Sequence, residues 1–251
     1  MAIRTYDGAL SGPLAELQKR VVACHACERL VEYRERIAQT KRRKYRDWDY
    51  WGAPVPGFGD PQGRLLIVGL APASHGANRT GRMFTGDASA DFLVEALHRA
   101  GFATQPTSQH RGDGLELVDA YETAVVRCVP PQDKPTAAEQ HACRPYLLEE
   151  IGLLPNLQVV LALGRVGFDN YLRAQSARLG SRQRHAFAHG GRYELGPGLP
   201  ALFASYHPSP RNTNTGRLTM AALDKVLADI RQWLEPGGVL AAGARERGCT
   251  A

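Results

Sequence analysis

The sequence predicts an α/β domain in which helices cover both faces of a parallel sheet. Short apolar runs bounded by Gly and Pro alternate with longer segments of helical periodicity, and no internal repeat or low-complexity tract interrupts the alternation. Strands separated by helices pair in parallel through crossover connections. A chain of 251 residues, 43% of them hydrophobic, is long enough to bury one large core. The expectation is a single domain over residues 1–236, followed by a mobile tail over 237–251.

Taken in order, a first helical segment runs from Pro13 to about Arg36 and carries Cys24 and Cys27. A basic and aromatic stretch follows, and the Gly/Pro-rich segment Gly52 to Gly63 then delivers the chain into a first strand, Arg64 to Gly69. The polar loop Gly69 to Gly86 leads to a helix over Asp87 to Ala100, with Phe92, Leu93, Ala96 and Leu97 at helical spacing behind an acidic first turn. A second strand covers Thr123 to Val129. The helix Thr136 to Leu148 opens on a capping box formed by Thr136 and Glu139. A third strand, Leu157 to Leu163, breaks at Gly164 into another helical stretch. The fourth, Ala201 to Tyr206, ends at His207, and Leu218 to Trp233 forms the last amphipathic helix. All four strands therefore end near one rim, where ligands bind in open α/β sheets.

Composition narrows the setting. No stretch of about 18 apolar residues is present and the first residues lack the order of a signal peptide, so a cytoplasmic protein without membrane attachment is expected. Of the 31 basic residues only Lys19, Lys41, Lys44, Lys134 and Lys225 are Lys, which leaves 26 Arg, the side chain whose planar fork suits phosphate. Lys41, Arg42, Arg43, Lys44 and Arg46 stand among Tyr45, Trp48, Tyr50 and Trp51, a mixture suited to phosphates and stacking, or to a solvated loop.

Five cysteines in a reducing compartment point to metal binding or redox chemistry. Cys24-x-x-Cys27 forms one pair, and Cys128 and Cys143 a second, so the two pairs are able to converge at one corner of the sheet. Four thiolates at one point suit tetrahedral zinc or a four-iron four-sulfur cluster, and zinc more commonly uses two tight knuckles where this chain has one. Cys249, in the tail, is the odd one out. The loop from His75 to Asp87 is rich in Gly and hydrogen-bond donors and carries Arg79 and Arg82, yet it matches neither a phosphate-binding loop nor a dinucleotide fingerprint.

The segments GLAPASHGANRTGRMFTGD, RCVPPQDKPT and HPSPRNTNTGRLT, with the four cysteines, resemble the uracil-DNA glycosylase superfamily, and specifically its family 5 (type b) enzymes, over residues 20 to 235. The resemblance implies a three-layer α/β sandwich with a central four-stranded parallel sheet, and a four-iron four-sulfur (4Fe-4S) cluster on Cys24, Cys27, Cys128 and Cys143. It implies a monomeric monofunctional glycosylase that hydrolyses the N-glycosidic bond of uracil, and of other deaminated bases such as hypoxanthine and xanthine, in single- or double-stranded DNA. Such chemistry flips a base out, and charge develops positive on the sugar and negative on the base. Asp87 then serves as the carboxylate near the sugar, in competition with a role as helix cap, and His207 donates to the departing base oxygen. Phe84 floors the base pocket, which Gly69, Leu70, Ala71, His75 and Ala124 line. Arg79, Arg82, Pro208, Ser209, Pro210, Arg211 and Asn214 contact DNA.

The chain departs from the family pattern at Asp133, where related enzymes carry Asn. A carboxylate there makes Asp133 a third catalytic candidate; beside Asp87 it would raise one pKa by like-charge repulsion. Leu70, Ala71 and Ala124 stand where other branches place polar groups, which predicts looser base selectivity. The alternative reading is a catalytically weak DNA-damage-binding protein, inactivated through Asp133, with a structural cluster.

Overall fold

The computed structural model describes residues 11–179 and 185–235; the expected tail and Cys249 lie outside the described residues. Helices α1 (Gly12–Val22) and α2 (Glu28–Thr40) come first, then the two-residue strand β1 (Phe58–Gly59) and β2 (Leu65–Gly69). A short helix α3 (Ala77–Thr80) precedes α4 (Ala88–Arg99), and β3 (Ala120–Ala124) precedes α5 (Ala137–Gly152). The second half holds β4 (Val159–Leu163), α6 (Gly164–Ala174), β5 (Arg192–Tyr193), β6 (Ala201–Ser205), α7 (Pro210–Thr213) and α8 (Met220–Leu234).

The sheet order is β1-β3-β2-β4-β6-β5. The four central strands are parallel, as expected, and β1 and β5 add short antiparallel edges. Side chains alternate between two cores. Leu66, Val68, Tyr121, Val160, Ala162, Leu202 and Ala204 pack with α1, α5 and α6 on one face, while Leu65, Ile67, Ala120, Leu161, Leu163 and Phe203 pack with α4 and α8 on the other. That makes three layers. Because the chain turns back across the sheet after β3, the crevice between β2 and β4 is the switch point where ligands bind in such folds.

Two elements differ from the sequence reading. The first helical segment is two helices, broken at Ala23 to Cys27, with Cys27 as N-cap of α2. Periodicity on both sides of a short break is hard to tell from one helix, and the break is where the cysteine pair sits. The second strand lies three residues earlier than the apolar run Thr123 to Val129. Its body contains the buried Glu122 and Thr123, which disguise it, and beyond its end Val125 and Val126 donate to the carbonyls of Gly69 and Leu70 at 3.0 and 3.1 Å. Thr123 is accommodated by a buried polar network. Glu150 of α5 accepts from Gln18 Nε2 (2.8 Å), the Tyr121 hydroxyl (3.3 Å), the Thr123 hydroxyl (2.6 Å) and Arg127, so it ties α1, β3 and α5 together. The capping box of α5 forms as expected, Thr136 Oγ1 accepting from Glu139 N and Glu139 Oε2 from Thr136 N.

Candidate active site

The parallel register sets Gly69 of β2 opposite Ala124 of β3, and Leu163 of β4 opposite Ser205 of β6. At this rim Gly69, Ala71, Phe84, Asp87, Ala124 and His207 line one cavity, so six of the expected site residues meet. The space is about 40 Å³, on the scale of a few water molecules. A larger ligand enters only if side chains part.

Three small residues make the cavity possible. A Cβ on Gly69 would fall 2.6 Å from Phe84 Cζ, so the ring lies directly on the end of β2. Phe84 itself has φ of 39°, a left-handed conformation uncommon for an aromatic residue and the kind of strain that gathers at functional sites. A Cβ on Gly76 would fall 1.8 Å from Asp87 Oδ2; Gly76 is a residue the sequence reading did not single out, although it closes the GLAPASHG run. Ala124 completes the set from the neighbouring strand.

Asp87 caps the helix with one carboxylate oxygen and leaves the other uncommitted to the cap. Oδ1 caps α4, accepting from Ser89 N at 2.9 Å and Ala90 N at 3.1 Å, while Oδ2 stands over Gly76. Burial pushes its pKa up, the two backbone bonds pull it back, Asp91 raises it and Arg79 lowers it. Asp133 is not part of that balance. It sits exposed in the turn Pro131–Asp133 with φ of 56°, outside the cavity, so the expected like-charge pairing with Asp87 is replaced by the nearer Asp91.

His207 faces Phe84 with ring centroids 6.4 Å apart, and burial draws its pKa down to about 4. It is therefore neutral near pH 7 and holds one ring N–H for donation. Asn212 Nδ2 donates to the His207 carbonyl at 2.8 Å and steadies the start of the following loop. In that loop Pro208 is buried, Ser209 is the N-cap of α7, and Pro210, Arg211 and Asn214 are exposed.

On the far side of His207 a groove of about 490 Å³ is lined by Leu70, Arg165, Phe187, Tyr206, Arg211 and Arg217, among others. Leu70 thus belongs to this groove and not to the cavity. Arg165 and Arg217, which sequence reading passed over, are exposed; the Arg217 guanidinium lies 4.3 Å from the Tyr206 ring centroid. An anion suits this wall.

The remaining candidates brace the site. His75 Nδ1 is 2.9 Å from the Tyr50 hydroxyl, outside the cavity lining, and burial lowers its pKa with help from Arg42 and Arg79. Arg79 and Arg82, expected at the DNA surface, are each only 3% exposed and bond inward. Arg79 donates to the carbonyls of His75 (2.7 Å) and Gly86 (2.9 Å) and lies 4.0 Å from both the Tyr45 and Trp48 ring centroids. Arg82 bonds Thr85, Ser108 and Asp113, and its proximity helps hold the Asp113 carboxyl far below the usual carboxylate range against the opposing effect of burial. Both arginines shape the loop from within.

The four cysteines gather away from the cavity. Cys24 and Cys27 lie at the α1–α2 break, partly exposed, and Cys128 and Cys143 are buried. Cys143 feels the charges of Cys24 and Cys27, and Cys128 those of Cys143 and Cys24, so the four thiols share one electrostatic neighbourhood. Burial pushes Cys128 up to about 12, while Arg34 Nη1, 3.2 Å from its sulfur, pulls the other way. The Arg127 amide donates to Cys143 Sγ at 3.4 Å. Among the described residues, no three His, Cys, Asp or Glu side chains close on a single metal ion. A donor set of thiols alone, with N–H groups already aimed at two sulfurs, fits an iron–sulfur cluster.

A family model described as the uracil DNA glycosylase superfamily matches residues 56–231. The chain is 49% identical over 213 residues to a type-5 uracil-DNA glycosylase of Thermus thermophilus, covering 84% of this chain and 94% of that one. It is 46% identical to a type-5 uracil-DNA glycosylase of Mycobacterium leprae, covering 88% and 96%. A type-4 uracil-DNA glycosylase of Thermotoga maritima is 26% identical over 71% of this chain.

Proposed function

Because this chain belongs to the uracil DNA glycosylase superfamily, we propose that it excises uracil from DNA by hydrolysing the N-glycosidic bond, with Asp87 and His207 as its catalytic pair. The observation that carries the reading is the meeting of Asp87, His207 and Phe84 in one cavity at the carboxyl ends of the central strands. The base leaves the stack and enters between Phe84 and the β2 and β3 ends, displacing water. As the bond from C1′ to the base nitrogen breaks, the bonding electrons go to the base and the sugar becomes cationic. The ionised Asp87 stabilises that cation and, through Oδ2, orients a water and accepts its proton as the oxygen bonds to C1′. Neutral His207 donates a hydrogen bond to the base oxygen, where the negative charge collects.

The cavity wall supports a broader base range. Ala71, Ala73, Ala77, Met83 and Ala124 offer it no side-chain hydrogen bond, so shape and backbone discriminate more than polar side chains do. Hypoxanthine and xanthine are proposed as further substrates. Cys24, Cys27, Cys128 and Cys143 would hold a 4Fe-4S cluster that supplies a structural clasp between the α1–α2 break and α5. The same reading places the protein as a monomer acting on DNA in the cytoplasm.

The test is incubation with oligonucleotides carrying one uracil, hypoxanthine or xanthine, followed by alkali cleavage at abasic sites. Strand cleavage that Asp87→Asn and His207→Ala each lower about 100-fold or more supports the reading. Salt-sensitive DNA binding without cleavage would replace it with a damage-binding protein.

A further inference from the structure

We infer that the exposed run from Arg42 to Arg46 is a DNA-backbone contact built onto the active-site loop, lying outside the segment that the family model matches. This rests on the DNA reading above but concerns different residues. Five cations occupy the six positions from Lys41 to Arg46. Among the described residues, Arg42, Arg43, Lys44 and Arg46 form no ion pair. Clustered like charges repel one another, and a polyanion relieves that repulsion.

Geometry ties the run to catalysis. Its aromatic residues clasp an inner cation: half-buried Tyr45 and the more exposed Trp48 pack on the Arg79 guanidinium at 4.0 Å, and the two rings meet edge to face at 6.0 Å. Immediately downstream, Trp51 N donates to the Arg79 carbonyl (2.9 Å) and Gly52 N to the Asn78 carbonyl (3.0 Å). Tyr50 bonds His75, and Arg42 is near enough to lower the pKa of that histidine. The run is therefore fastened to the loop that ends in Asp87, with its cations exposed and its rings packed on Arg79. Arg79 already packs on both rings, while clustered Arg and Lys heads match phosphate oxygens, so the contact is to phosphates and is independent of sequence. The Arg165–Arg211–Arg217 groove flanks His207, so the expected footprint extends from that groove to this strip.

The test uses the full chain with Arg43, Lys44 and Arg46 replaced together by Ala, and a second variant with Arg43→Lys and Arg46→Lys. Binding of undamaged duplex DNA is measured across a salt series, and excision of uracil across DNA concentrations up to saturation. The expected result is a salt slope reduced by about 2 to 3 in the alanine variant, near one per cation removed. KM should rise with the saturated rate unchanged, and the lysine variant should keep most of the slope. An unchanged slope and KM would overturn the inference, as would an equal loss in the lysine variant. If the wild-type protein binds DNA but excises nothing, the glycosylase reading fails while the slope comparison still decides the strip.

Discussion

A single methyl group at position 76 would occupy the place of the Asp87 carboxylate oxygen. Gly76→Ala is therefore expected to lower single-turnover excision about 100-fold, since a displacement of that order at a reacting group costs about that much. Thermal stability should fall too, because φ of −96° with ψ of −107° lies outside the regions that a residue with a Cβ populates, so excision is compared at a temperature where both proteins are folded. Asp87→Asn keeps an N-cap and loses the charge; excision should fall about 100- to 1,000-fold with the fold intact. The pH profile has a definite sign. Asp87 must be ionised to act, and burial raises its pKa, so the rate should fall on the acid side at a pH above the ordinary aspartate range. That limb should vanish from the residual activity of Asp87→Asn. At this scale Gly69 and His207 were legible as strand ends, and Phe84 and Asp87 through their place in the Gly-rich loop together with the family resemblance. The burial of Arg79 and Arg82 was not, since an arginine in a loop reads as a surface cation until the rings and carbonyls that enclose it are known.

Among the elements, α5 bears the most on cohesion. Its Glu150 is fully buried and faces Arg127, Thr123, Tyr121 and Gln18. Glu150→Ala would strand a buried guanidinium and should cost about 3–5 kcal/mol, measured by urea denaturation. The same helix carries Cys143, and the α1–α2 break carries Cys24 and Cys27. Cys24→Ala should abolish a visible absorption band and lower the Tm; a variant that keeps its Tm and shows no band would remove the proposed clasp. The order of helices and strands was readable from periodicity, and the capping box fixed the start of α5. The break between α1 and α2 was hidden because both sides keep helical spacing. The position of β3 was hidden because a glutamate inside a strand breaks the apolar pattern while tertiary contacts still bury it.

For the whole molecule, protons and salt are the two controls. His207 has a folded pKa of about 4 against an ordinary 6.5, and His75 and His189 are lowered too. Between those two pH values the unfolded chain takes up protons that the folded chain refuses. Stability should therefore fall as pH drops through that window, and His207→Gln should flatten part of the decline in a Tm series. The three layers and the parallel core followed from the alternation of runs, and the rim that holds the cavity followed from the strand ends. Which of 26 arginines face outward did not follow, because composition counts charges and only packing orients them. Opposite each other at that rim stand Gly69 and Ala124, held by the hydrogen-bonded register of two central strands. The width of the cavity there is thus a dimension of the sheet ladder, stiff as the ladder is stiff. This edge of the cavity is a fixed gauge, so any room made for a base comes from the movable side chains opposite it, Phe84 and Met83.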